Sequence, residues 1–125
     1  MMIPKEFSDE MLTVGLNVPE MVERFMDNEE TFLKYLSKFF ESADSAVQEL
    51  TSAVEKEDFS AILFTAHSLK GLAGNIGLNG VFIPAKKIVD DMRADYHSEY
   101  GDDFRKLQEM YYRAKEITQN FIERK

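Results

Sequence analysis

Cysteine is absent from this 125-residue sequence, which removes disulfides and thiolate metal sites and fits a reducing compartment. Proline occurs only as Pro4, Pro19 and Pro84, so long helices can run with few breaks. No stretch approaches the roughly 20 consecutive apolar residues that cross a bilayer. The opening MMIPKEFSDEM also lacks the apolar run of a signal peptide. A soluble cytoplasmic protein is the expectation. Basic residues are the minority: 15 Lys and Arg against 23 Asp and Glu leave a formal charge of −8. A phosphate polymer or an anionic bilayer would be repelled over most of such a surface, so neither nucleic acid nor membrane is expected as a partner.

What is present is apolar matter in quantity: 44% of residues are hydrophobic and ten are Phe. That suffices for one core without staples, and the length suits a single domain over residues 1–125. The apolar positions recur by threes and fours, the signature of helices with one buried stripe. Residues 8–16 read as a short helix capped by Ser8, and Val18 to Met26 as another with Pro19 in its first turn. Asp27 or Asn28 then caps a long helix over about 29–56, with Glu30 completing a capping box from Asp27. Its stripe runs through Phe32, Leu36, Phe39, Phe40, Ala43, Val47 and Leu50. Asp58 opens a further helix that Gly77 closes, and Asn79 is placed to cap the next, in which Val81, Ala85, Ile88, Val89 and Met92 share a face. Phe104, Leu107, Tyr111, Ala114, Ile117 and Phe121 mark a last helix ending near Ile122. No segment alternates long enough to suggest a strand. The expected fold is all-α, an antiparallel four-helix bundle with one or two short N-terminal helices.

The segment AHSLKGLAGNIG, residues 66–77, carries the chemistry. At about 100° per residue, with His67 as zero, Leu69, Leu72 and Ile76 fall near 200°, 140° and 180°, while Lys70, Gly71 and Gly74 fall near −60°, +40° and −20°. His67 therefore points away from the core, on a strip bare of bulk except for Lys70. Glycine in a helix interior costs roughly 0.5–1 kcal/mol relative to alanine, so two glycines within one turn need another reason. Access for a bulky partner to the imidazole supplies one. Neutral imidazole keeps a ring nitrogen lone pair able to attack phosphorus. The modified ring would carry close to two negative charges, which a lysine one turn away can offset. No nucleotide-binding loop and no acidic cluster for Mg²⁺ is apparent, so no cofactor or metal is expected and any metal would come from the partner. Leu63 and Phe64 fall near −40° and +60° on the same wheel, about 100° apart per residue. They are expected either to dock a partner or to lie under a neighbouring short helix.

These residues resemble the histidine-containing phosphotransfer (HPt) family, whose central pattern is H-x-x-K-G followed by small residues and another glycine. Here it reads His67, Ser68, Leu69, Lys70, Gly71, Leu72, Ala73, Gly74, with Asn75, Ile76 and Gly77 following. VPEMVERFMDNEETFLKYLSKFFESA upstream is similar to the family's short helix, acidic turn and long helix with paired aromatics, so the likeness covers about residues 15–95. It departs at Leu72, where a small residue is usual, and at Val89 and Asp90, where a Leu-Glu pair is usual. The resemblance implies a four-helix bundle, His67 as the phosphorylated residue, Lys70 as its electrostatic support, and Gly71 and Gly74 as the clearing for docking. It implies a non-enzymatic carrier whose partners are response-regulator receiver domains and a hybrid histidine kinase, and a closed bundle makes a monomer the simpler expectation. Two other readings stay open at this point: the N-terminal phosphotransfer domain of a chemotaxis-type kinase, and a helical adaptor without chemistry. His97, in a polar stretch, reads as a surface histidine without a role.

Overall fold

The computed structural model describes residues 3–123. Six helices follow in order: α1 (Lys5–Leu12), α2 (Val18–Arg24), α3 (Glu29–Glu55), α4 (Phe59–Ile76), α5 (Asn79–Arg93) and α6 (Tyr100–Glu123). There is no strand among the described residues. Consecutive long helices are joined by short turns and lie side by side, α4 against both α3 and α5, and α5 against α6, while α1 packs on α6 and α2 on α3. This is the all-helical bundle that the periodicity predicts.

The stripes meet in one core. Phe32, Leu36 and Leu50 of α3, Ile62 and Leu69 of α4, Val81 and Ile88 of α5, and Leu107 and Tyr111 of α6 are fully buried. Each such side chain contributes roughly 1.5–3 kcal/mol relative to exposure. Tyr111 also carries a polar atom inward. Its hydroxyl donates to Asp44 on α3 and lies 3.3 Å from the Phe40 carbonyl, while the Lys115 ammonium reaches the same carboxylate at 2.8 Å. The network ties α3 to α6 across the side of the bundle.

Caps decide where the helices begin. The Asn28 side chain accepts from Thr31 N–H at 3.0 Å, and Asp58 accepts from Ala61 N–H at 3.2 Å. Asp27 instead adopts a left-handed conformation (φ 61°), so the expected capping box from Asp27 to Glu30 does not form. The first helix begins at Lys5, earlier than Ser8 suggests, with Pro4 at its N-cap. Asn79 is not a cap either. Leu78 holds that position and no side chain caps α5; the backbone does so. The N–H groups of Asn79 and Gly80 donate to the carbonyls of Gly15 (3.3 Å) and Val14 (3.0 Å), in the link between α1 and α2. Two glycines permit the crossing: a Cβ on Gly80 would stand 2.4 Å from the Val14 carbonyl oxygen, and one on Gly15, itself at φ +84°, would stand 2.7 Å from the Gly80 nitrogen.

Past α5, the Lys87 ammonium lies 3.4 Å from Asp91, 3.5 Å from Glu99 and 3.6 Å from Asp103. His97 in this turn is half-buried. Its ring stacks on Phe59 at 3.8 Å between centroids and 13° between planes, and its Nε2 lies 3.4 Å from Asp95. The surface histidine expected here is thus a packing residue joining the α5–α6 turn to the start of α4.

Candidate functional site

The 18 residues of α4 are set between two well-formed ends. Asp58 caps the first turn. At the other end Gly77 enters the left-handed region (φ 77°), and Leu78 N–H returns to the Ala73 carbonyl at 2.9 Å. Between them Ile62, Ala66, Leu69, Ala73 and Ile76 are buried. His67 is exposed, as are Gly71 and Gly74. The core and the histidine therefore occupy opposite sides of one rigid helix, which fixes the direction in which the imidazole is presented. Neither ring nitrogen has a hydrogen-bond partner among the described residues. Both are open to an approaching molecule.

Lys70 is half-buried one turn away. Its charge is felt on α5. The Lys86 ammonium, 2.9 Å from Asp90, holds that carboxyl below the usual carboxylate range against partial desolvation, and the charges of Lys86, Lys70 and Arg93 add to the effect. Lys70 thus has an acidic neighbour in range without a hydrogen bond to bind it.

The two glycines differ. A Cβ on Gly71 would meet nothing within 4 Å, whereas one on Gly74 would meet the Phe82 ring of α5 at 3.3 Å. Gly71 leaves open space beside His67, and Gly74 makes room for an aromatic ring at the edge of the strip. Phe64 stands 75% exposed on the other side of the histidine. Leu63 is half-buried against the core. Of the two expectations for this pair, burial describes Leu63 in part and solvent describes Phe64.

Beyond Gly74 the strip opens into a hollow of about 340 Å³ between α2, the end of α4 and the start of α5, lined by Asn17, Glu20, Arg24, Gly74, Asn79 and Phe82 among others. Sequence reasoning did not place Arg24, Asn17 or Phe82 at the site. The signal for Phe82 was present: it is an apolar residue off the stripe of its own helix. Arg24 had none, since only the fold brings α2 beside α4. No group of three or more His, Asp or Glu that could hold a metal forms among the described residues. No helix among them is long and apolar enough to cross a membrane.

A family model described as the Hpt domain matches residues 34–117. The chain belongs to the Hpt family. No curated protein and no solved structure matches it. The matched span covers α4 and α5 whole and most of α3 and α6, so the strip bearing His67 lies well inside the Hpt match. Hpt domains are phosphocarriers of two-component phosphorelays, and they interact with response-regulator receiver domains and kinases.

Proposed function

We propose that the chain carries a phosphoryl group on His67, taking it from and giving it to aspartates of receiver domains. The observation that supports this most directly is the placing of His67: exposed, opposite the core of a helix capped at both ends, beside the open space at Gly71. In the forward step a ring nitrogen lone pair forms the N–P bond while the bond from phosphorus to the partner's aspartyl oxygen breaks. The carboxylate leaves with the electron pair, and the reverse step restores it. Such transfers run through a loose transition state in which positioning and charge neutralisation matter most.

Lys70 offsets the charge of the phosphorylated ring as a point charge. Gly71 leaves room for the receiver, while Gly74, Leu63 and Phe64 form the surface on which it seats, with Phe64 the large apolar anchor. The reading is of a carrier without its own nucleotide site, monomeric, cytoplasmic, and acting as one domain over the whole chain.

Transfer of labelled phosphate from phosphorylated receiver domains tests it. The wild type should acquire an acid-labile label and return it to fresh receiver, and His67→Gln should acquire none. Label on the His67→Gln protein would overturn the assignment. Labelling by a kinase catalytic domain with ATP, but by no receiver, would move the protein to the chemotaxis-kinase class.

A further inference from the structure

We infer that the hollow beyond Gly74 receives a carboxylate side chain of the docking receiver, with Arg24 as the residue that selects for it. The inference rests on the reading of His67 as the phosphoryl carrier and names a second point of contact for the same partner.

The hollow adjoins the His67 strip through Gly74, about 10 Å along α4 from the histidine at 1.5 Å per residue. A receiver seated over His67 therefore has surface above the hollow. Its lining brings the amides of Asn17 and Asn79 and the Arg24 guanidinium together with one carboxylate, that of Glu20. The Asn17 side-chain oxygen accepts from Glu20 N–H at 3.1 Å, and its amide nitrogen is the donor that this exposed residue has to offer. Asn79 does not cap α5, because the backbone of residues 14 and 15 takes the start of that helix, so its exposed side-chain amide is not engaged as a cap. Arg24 contributes a guanidinium, whose planar fork suits a carboxylate.

Arg24 is only loosely held. Among the described residues its ion-pair partner is Glu20, one turn back at 3.4 Å, with both side chains more than half exposed. An exposed pair of that kind is worth less than about 1 kcal/mol, so an incoming carboxylate can take the guanidinium from Glu20 at little cost. Charge argues for the same occupant. A chain of net charge −8 repels an acidic partner over most of its surface, and cations placed beside the contact orient the approach. Lys70 lies on the strip itself and Arg24 at its far edge. An acidic side chain over the hollow would thus fix the rotation of the partner about the His67 axis.

The test separates labelling from docking. Phosphoramidate, a small phosphoryl donor that needs no docking surface, should label His67 equally in wild type, Arg24→Ala, Arg24→Glu and Glu20→Gln. Transfer from each labelled protein is then followed to whichever of a panel of purified receiver domains accepts fastest from the wild type. Arg24→Ala should raise KM about tenfold with kcat unchanged, Arg24→Glu should raise it further, Arg24→Lys should recover only part of the affinity because it keeps the charge without the planar fork, and Glu20→Gln should lower KM. At about 0.5 M salt, where the screening length falls to roughly 4 Å, wild type and Arg24→Ala should come within about twofold. Unchanged KM in both Arg24→Ala and Arg24→Glu overturns the inference while leaving the carrier function intact. Failure of every receiver to accept label from the wild type overturns the function itself, and helical circular dichroism confirms that each variant is folded.

Discussion

The Phe82 ring of α5 occupies the space that a side chain at Gly74 of α4 would need, with two ring carbons 3.3 Å from the position of a Cβ. One missing methyl thus sets how closely α4 and α5 approach beside the strip that bears His67. The same residue type serves a different purpose three positions earlier, where Gly71 faces open space.

Alanine substitutions should separate the two. Gly71→Ala should stabilise the protein by about 0.5–1 kcal/mol through helix propensity alone, because nothing meets the added methyl. Gly74→Ala gains the same propensity but must displace the Phe82 ring, so its net effect should fall below that of Gly71→Ala. Phe82→Leu in the Gly74→Ala background should recover the difference. Urea unfolding midpoints at constant m-value give the comparison. Equal stabilisation by both single substitutions would show that the ring yields freely.

Bulk at Gly71 should act on docking rather than on folding. Gly71→Leu should leave phosphoramidate labelling of His67 intact and reduce transfer to receiver domains by at least about tenfold, in keeping with the loss of a close-packed contact. Phe64→Ala, which removes an exposed ring, should weaken transfer without lowering the melting temperature. A drop in melting temperature with unchanged transfer would assign Phe64 to the fold.

The link from α3 to α6 predicts a pH dependence at both ends. Burial pushes Asp44 up, but the hydrogen bonds from Lys115 and Tyr111 and the Lys115 charge outweigh it and hold the carboxyl below its ordinary value. Its contribution to stability is therefore present above the unfolded carboxylate pKa near 3.9 and is lost as pH falls through the lower folded value. Burial, and then Asp44 itself, push the Tyr111 hydroxyl upward, so its contribution is present below the ordinary tyrosine pKa near 10 and is lost progressively above it. Tyr111→Phe should cost about 1.5 kcal/mol at neutral pH, the range for a hydrogen bond to a charged group, and should remove its part of the alkaline loss. Asp44→Asn should flatten the acid limb of melting temperature against pH, and an unchanged limb would place the acid sensitivity elsewhere.

His97 offers a contrast with His67. Loss of the ring stacked on Phe59 should lower stability by about 1 kcal/mol in His97→Ala, with phosphoramidate labelling unaffected. His67→Gln should behave in the opposite way, stable and unlabelled.

Much of this was legible in the residues, for identifiable reasons. The stripe of α4 needs only helical geometry, so the side on which His67 stands followed from Leu69 and Ile76. Asp58 and Gly77 signal the ends of that helix through local chemistry, and both act as their residue types suggest. Asn79 misled because a cap can be made by distant backbone as well as by a local side chain. The carbonyls of Val14 and Gly15 are more than sixty positions away in sequence. Phe82 and Arg24 escaped for the same physical reason: each comes to the edge of the histidine strip only once α5 has packed on α4 and α2 on α3. His97 looked solvated among charged neighbours because its partner, Phe59, lies at the far end of another turn.

The crossing of residues 14 and 15 over Asn79 and Gly80 gives the front of the chain a duty that its position outside the Hpt match would conceal. Trimming the protein to residues 34–117 would remove the two acceptors that close α5 and take Met11 and Leu16, both fully buried, out of the core. The short leading helices act as a splint: they brace the helix packed beside the His67-bearing one, and an expression fragment begun at the family boundary should lose its cooperative melt.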